Sequence, residues 1–413
     1  MRLTRTVLAA VTVGAALVGV SACSGSAGGA SSASSGTFTF WDPYPQFDKS
    51  SGWARLVSSC GTKAGVTVKR TAYDTTDLGN KALLAAQQGN APDVMLVDNP
   101  VVSTLVQAGI LNKMGDIGVA TNVVQSNIIG AGTVDGSAYG IPIGANTLAL
   151  YYNKSVLDAA HVDPASIKDW NSLTAALRKV RGAGKKGITF SAIGTEEGSF
   201  QFLPWFWGAK ADLNHLDSAE GTAALALWKG WVSAGLAPND VLSNTQTTSW
   251  QEFATGQYAF GENGTWQLAN AKKAGFPYGV ISIPARAGGA APAPTGGEFA
   301  TVPVQKDSAR YKTDAALVSC LTSDANLLST DSTLSYIGPT GVVQSQQVDK
   351  APELKPWVDA VAAARGRTSD GLNTRYPFIS EQLWTAVQAA LSGGKDPASA
   401  LAAAQKAADN HKN

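Results

Sequence analysis

The stretch Ala91-Pro92-Asp93-Val94-Met95-Leu96-Val97-Asp98-Asn99-Pro100 contains a strand together with both of its boundaries. Ala91-Pro92 leads into it, the run 93–97 has the short apolar character of a strand, and Asn99-Pro100 starts a helix, since proline suits the first helical turn. Asp98 sits at the junction, either as the helix N-cap or as a side chain projecting from the carboxyl end of the strand. Upstream, residues 37–41 (TFTFW) and 66–70 (VTVKR) read as two further strands, with helices around Trp53 and over 78–88. This βαβαβ rhythm predicts an α/β fold with a mainly parallel sheet and helices on both faces. Ligands of such sheets bind outside the carboxyl ends of the strands, where Asp98 lies.

A second lobe is expected after Gly140-Ile141-Pro142, where residues 148–152 and 187–193 read as strands and 169–181 as a helix. Beyond them come a helix carrying Leu227, Trp228, Trp231 and Val232, and an Ala-rich helical tail over 380–410. Residues 285–297 (ARAGGAAPAPTGG) form the one low-complexity loop of the body, a lobe crossing or a surface excursion. No internal repeat is present.

The chain has 413 residues, a soft indication of two or three domains. Its 32 Lys and Arg balance 31 Asp and Glu, so nothing attracts nucleic acid or an anionic membrane surface. Charged residues make up 15%, against a usual share of about 25%, and 44% of residues are hydrophobic, far from the composition of disordered chains. His161, His215 and His411 show no metal-ligand spacing.

Arg2 and Arg5 precede the apolar run 7–20 (VLAAVTVGAALVGV), too short to span a bilayer but suited to the core of a signal peptide. Val20-Ser21-Ala22-Cys23 follows and resembles the lipobox of bacterial lipoproteins, which implies removal of residues 1–22 and lipidation of Cys23 as the new N-terminus. Two acyl chains meet the requirement for stable anchoring. Residues 23–36, a Ser/Gly/Ala run, are then a flexible tether. No other segment reaches the roughly 18 to 20 apolar residues of a membrane span, so the expected product is an exported soluble body, lipid-anchored at the extracellular face of the cell membrane. Cys60 lies on the stripe Trp53, Leu56, Val57, Cys60, Ala64, and Cys320 on the stripe Ala316, Leu317, Cys320, Leu321. They are either a disulfide or two small buried thiols; the oxidising compartment and the even count favour the bridge.

Residues 148–154 (LALYYNK) with 169–173 (DWNSL), and residues 253–266 (FATGQYAFGENGTW), resemble signature blocks of the extracellular solute-binding proteins of sugar ABC importers. Ala91-Pro92-Asp93-Val94, Gly296-Gly297-Glu298, Ile337-Gly338-Pro339-Thr340 and the tail from Leu391-Ser392-Gly393-Gly394 to Ala400-Leu401 fall in the same order as in that family, so the resemblance spans the mature chain. It implies a two-lobed periplasmic-binding-protein-like fold of type II, similar to maltose-binding protein, with a solute trapped between the lobes. The crossings implied lie near Ala145-Asn146, Glu298-Phe299 and Pro339-Thr340. Lobe 1 is then residues 37–145 and 299–338, and lobe 2 residues 146–298 and 339–413. Both Cys60 and Cys320 fall in lobe 1 by this division.

A sugar presents hydroxyls that need hydrogen-bonding partners and C–H faces that need apolar cover, so its site should mix carboxylates or amides with Trp or Tyr rings. Trp266, just after Asn263-Gly264, matches the stacking tryptophan of the family and is the first candidate. The resemblance also places Asp98 and Asn99 in the cleft, beside the first-strand loop with Trp41, Asp42 and Tyr44, and puts Asn146 at a sugar-contacting hinge position. Glu197, Gln201 and Trp205 are candidates from lobe 2, although the aromatic run 200–207 reads equally as core. Glu298 either binds a hydroxyl or pairs within the hinge. Arg375 and Trp384 lie where relatives place an arginine or an aromatic contact, and Trp384 reads equally as helix core. Trp53, Trp170, Trp228, Trp231 and Trp357 sit on helical stripes and read as packing, and Trp250 is left open.

A secreted glycosidase would also combine carboxylates with tryptophans. It needs two carboxyl groups roughly 5 to 9.5 Å apart across the scissile bond, and the adjacent Glu196 and Glu197 diverge if they lie on a strand. No GxSxG elbow, Walker loop or HExxH motif occurs. The expectation is therefore a binding protein with no catalytic residues, metal or cofactor. Its expected partners are a sugar and the permease subunits of an ABC importer, with a monomeric body. A lipoprotein for a peptide, polyamine or metal chelate is the other alternative, which the weakly charged, aromatic-rich makeup disfavours.

Overall fold

The computed structural model describes residues 37–368 and 371–411. The expected signal peptide, the tether and Cys23 lie outside the described residues.

The first sheet has strand order Thr67–Ala72, Thr37–Asp42, Val94–Asp98, Glu298–Thr301, Gly140–Pro142. Its first three strands are parallel, and Glu298–Thr301 runs antiparallel to both of its neighbours. Val94–Asp98 is central, and its uninterrupted apolar run is explained by burial on both sides. Val94 and Leu96 point into a core with Phe38, Phe40, Trp53, Val57, Leu317 and Val318. Met95 and Val97 point the other way, to Leu78, Ala82, Val102 and Leu105. The helix Gly52–Lys63 starts where the Ser51 side chain caps the amide of Ala54. A Cys60–Cys320 disulfide, with Cα atoms 5.6 Å apart, fastens it to the helix Tyr311–Leu321.

The second sheet has the order Tyr278–Ile281, Leu148–Asn153, Tyr258–Gly264, Lys186–Thr189. Leu148 and Leu150 face a core built with the helices Trp170–Gly182, Glu196–Gly208, Ala219–Ser233, Tyr376–Leu391 and Pro397–Asn410. Ala149 and Tyr151 face Trp250, Phe253 and Trp357. Trp53, Trp170, Trp228, Trp231 and Trp357 are all buried, as helical stripes predict. So is Trp250, whose ring lies 5.1 Å from that of Tyr151.

The chain passes between the sheets through short bridges, Ala145 with Ile337 and Asn146 with Gly296. Gly297 adopts φ +113°, and a Cβ there would stand 2.7 Å from the Gly144 carbonyl oxygen, so the crossing strands approach this closely only at glycine. The two lobes are thus built on the two sheets, and a further cluster joins Ile128, Ala145 and Ile337 to Tyr151, Trp250 and Trp357 across the crossing.

Three expectations differ from the structure. The strand read over 187–193 ends at Thr189; Phe190 and Ala192 are apolar because they pack into the second core, not because they pair. The tail over 380–410 is two helices, since Gly393 in the left-handed region stops the first and Asp396 caps the second with Pro397 in its first turn. Residues 339–413 do not all keep to the second lobe. Asn127 donates to the Val361 carbonyl, Thr368 to that of Ala131 and Ser103 to that of Asn373, so part of the segment 361–375 leans on the first lobe.

Candidate functional site

A cavity of about 980 Å³ opens between the lobes at the carboxyl end of Val94–Asp98. Its lining comes from both lobes and from the crossing segments.

Glu298, the first residue of its strand, stands directly opposite Asp98 in the antiparallel pairing, and both line the cavity. The Glu298 Oε2 accepts the hydroxyls of Tyr44 at 2.7 Å and Tyr336 at 2.6 Å. Burial pushes this carboxyl up to about 7, the nearby charge of Asp98 adds to the rise, and the two phenol hydrogen bonds oppose it. Asp98 is the N-cap of Asn99–Gln107, its Oδ1 accepting the Asn99 amide at 2.9 Å. The same oxygen accepts a guanidinium hydrogen of Arg367 at 2.8 Å.

On the other side of the cavity lies the start of the helix Glu196–Gly208. Glu196 accepts from the Tyr376 hydroxyl at 2.7 Å and from Arg367 at 2.6 Å. Glu197 accepts the backbone amide of Gln246 at 2.8 Å, at the start of Gln246–Ala254. Burial alone would lower the Arg367 guanidinium pKa, but Asp98 and Glu196 outweigh it and hold the group firmly charged.

Apolar cover comes from Trp266, Phe200, Trp384, Pro377, Leu83 and Val101. Trp266 occupies the turn after the strand Tyr258–Gly264, half-buried, with its ring 6.2 Å from that of Phe200. A Cβ at Gly264 would lie 2.0 Å from the indole, so glycine lets the ring fold back over the strand end. The cavity therefore joins hydrogen-bond acceptors from Asp98, Glu197, Glu298 and Asn146 with two tryptophan rings, a surface suited to hydroxyls and C–H faces.

Of the residues expected at the site, Trp266, Asp98, Asn146, Tyr44, Glu197, Glu298 and Trp384 line the cavity. The others are engaged elsewhere. Asp42 is fully buried, ion-paired with Arg70 and accepting the Trp53 indole N–H at 3.0 Å. Trp41 packs edge-on against Tyr73, and Asn99 is buried, donating to the Thr295 carbonyl. Gln201 and Trp205 are fully buried under the second sheet, where Gln201 donates to the Glu262 carbonyl and Trp205 to the Glu262 carboxylate at 2.8 Å. They lie one and two turns beyond Glu197 on a helix whose later turns run into the core. Arg375 donates to Asn214 within the second lobe.

Sequence reasoning did not put forward Arg367, Tyr336 or Gln246, all of which line the cavity, as do Tyr376, next to the expected Arg375, and Glu196, weighed only as a catalytic partner of Glu197. Glu196 and Glu197 open a helix and do not lie on a strand, and negative charge is favoured in that first turn. Arg367 has no local signal, because Asp98 is 269 residues away and Glu196 is 171.

The bacterial extracellular solute-binding protein family matches residues 55–356 of the chain. The maltodextrin-binding protein MdxE of Bacillus subtilis (strain 168) is 29% identical over 300 residues, 68% of each chain. A maltooligosaccharide ABC transporter solute-binding lipoprotein of Streptococcus pneumoniae (strain ATCC BAA-255 / R6) is 28% identical over 255 residues, 58% of each chain. Among solved structures, the cyclic alpha-maltosyl-1,6-maltose binding protein of Arthrobacter globiformis superposes with a TM-score of 0.76 at 23% identity, covering 91% of this chain and 98% of that one. The GacH receptor of Streptomyces glaucescens GLA.O gives 0.75 at 24% identity, with the same coverage. These likenesses carry the two-lobed fold across nearly the whole described body, and the family match covers well over half of the sequence. The chain belongs to the bacterial extracellular solute-binding proteins.

Proposed function

We propose that this protein is the capture component of an ABC importer, binding a small oligosaccharide of the maltodextrin type between its lobes and presenting it to a membrane permease. The observation that carries the reading is the interlobe cavity, with carboxylates and an amide interleaved with Trp266 and Trp384. Its volume of about 980 Å³ is at the upper end of the roughly 300–1,000 Å³ of small-molecule sites, which favours an oligosaccharide over a monosaccharide. The names of the Bacillus and Streptococcus relatives point the same way. Trp266, Asp98, Asn146, Glu197, Glu298, Tyr44 and Trp384 are the proposed contacts. Binding without turnover, export, and anchoring through Cys23 complete the proposal.

Calorimetric titration with glucose, maltose, maltotriose and longer maltooligosaccharides tests it. The expected result is stoichiometric binding that tightens beyond the monosaccharide, with the sugar recovered intact by chromatography. Saturation at 100 times the dissociation constant should add about 2.7 kcal/mol of stability. Shortened products would support the glycosidase alternative, and no binding across the series would refute the sugar class.

A further inference from the structure

Arg367 is 2% exposed and lies between the lobes. One terminal nitrogen donates to Asp98 at 2.8 Å and to Asn99 at 2.9 Å, both on the first lobe. The other donates to Glu196 on the second lobe at 2.6 Å, and the guanidinium lies 4.8 Å from the centre of the second-lobe Phe200 ring. The residue follows the short strand Arg365–Gly366, which pairs with Pro294–Thr295 beside the crossing at Gly296. The same segment bonds to the first lobe through Thr368 and Asn373 and to the second through Arg375. Among the described residues its Nε is buried with no partner, so burial of this side chain is not explained by local satisfaction. The two carboxylates, from opposite lobes, are what compensate it.

We propose that Arg367 is a positioning residue that sets lobe closure: it bridges Asp98 and Glu196 when the cleft is shut, and the lobes separate only by stripping one carboxylate from a buried guanidinium. Glu196 keeps the hydroxyls of Tyr376 and Ser380 when they do, while Arg367 keeps Asp98 and Asn99, so the second-lobe contact is the one that breaks. The inference rests on the reading of solute capture by closure. Arg367 acts through these carboxylates, biasing the empty protein toward the closed state and slowing escape of the bound solute. Affinity then scales with the closed fraction.

The test is an interlobe distance measured by electron spin resonance in the mature protein, with spin labels at L84C on the first lobe and K179C on the second, both exposed positions. In the absence of sugar, R367M is expected to move the distribution to longer distances than the wild type, and R367K, which keeps the charge but not the two-armed geometry, to lie between them. Saturating maltotriose should restore the short distance. The dissociation constant of R367M should rise at least tenfold, mainly through faster dissociation. Identical sugar-free distributions for wild type and R367M would overturn the proposal. If R367M does not fold, E196Q replaces it and must shift the distribution in the same direction; no shift overturns the proposal. If the wild type binds no sugar, the functional reading fails, while the sugar-free distances still decide the role of Arg367.

Discussion

Glu298→Gln should change how stability depends on pH, and the size of the change follows from the site. The carboxyl is buried with its Oε2 shared by two phenols, and its pKa is raised from 4.5 to about 7. A folded-state pKa above the unfolded one means that the native protein holds a proton that the unfolded chain releases. The stabilising contribution is therefore fully present below about 4.5 and is lost as pH rises through about 7. Between pH 5 and pH 8 the wild type should lose about 2.5 kcal/mol from this group alone. Glutamine keeps an oxygen to accept from Tyr44 and Tyr336 and cannot ionise. Any repacking cost it brings is the same at both pH values. Urea unfolding of both proteins, in the absence of sugar, at pH 5 and pH 8 gives four stabilities. E298Q relative to wild type should gain about 2.5 kcal/mol at pH 8 over its value at pH 5. A relative stability that is the same at both pH values would refute the reasoning, since the carboxyl would then titrate alike in the folded and unfolded chains.

Trp266→Ala removes the ring that covers one wall of the cavity beside Phe200 and should weaken sugar binding about 10- to 100-fold by calorimetry, with little effect on melting of the empty protein because the ring is only half-buried. Joint replacement of Cys60 and Cys320 by serine opens a link between residues 260 apart and should cost about 2–5 kcal/mol in denaturant unfolding, while the dissociation constant for sugar stays within twofold because the bridge lies inside the first lobe. Cys23→Ala should release the protein from the membrane fraction into the medium, as followed by immunoblotting, and mass spectrometry should find the wild-type N-terminal peptide diacylated.

The three parallel strands of the first sheet were legible, Val94–Asp98 as an apolar run and Thr37–Asp42 by the alternation of Phe38 and Phe40 with partly exposed neighbours, whereas Glu298–Thr301 and Gly140–Pro142, which join it antiparallel from far along the chain, were not. The over-read strand shows the limit of that signal: Phe190 and Ala192 are as apolar as a strand requires, and only tertiary packing decides that they sit in a loop against the second core. The break in the tail was readable at Gly393 and Asp396-Pro397, but alanine-rich helix on both sides masked it. At the site, Trp266 stood out because a turn offers a large ring no helical stripe to join. Gln201 and Trp205 did not separate from Glu197, because all three share one helix and only its tilt into the core divides them. Asp42 was misleading for a similar reason: a carboxylate at a strand end looks the same in sequence whether it meets a ligand or, as here, an arginine and an indole from its own lobe.

The electrostatics of the cavity bear on the class of solute it accepts. Among the described residues, Asp98, Glu196, Glu197 and Glu298 line it against one cation, Arg367. Closing lobes over four carboxylates without compensation would be prohibitive, and the protein limits that cost with its own donors. Glu196 is occupied by Arg367 and Tyr376, and Glu298 is held by two phenols. Asp98 and Glu197 each take their donors on a single oxygen, Oδ1 and Oε2. Acceptor capacity thus remains at both sides of the cleft, one carboxylate on each lobe, where a neutral polyol can donate to both and so favour the closed form over the open one. A uronic acid or a sugar phosphate would bring a like charge into the same space with a single, already paired arginine to meet it. Added in excess to the maltotriose titration, galacturonate or glucose 6-phosphate should therefore leave the apparent dissociation constant of maltotriose unchanged, and competition by either at millimolar concentration would refute this account of the cleft.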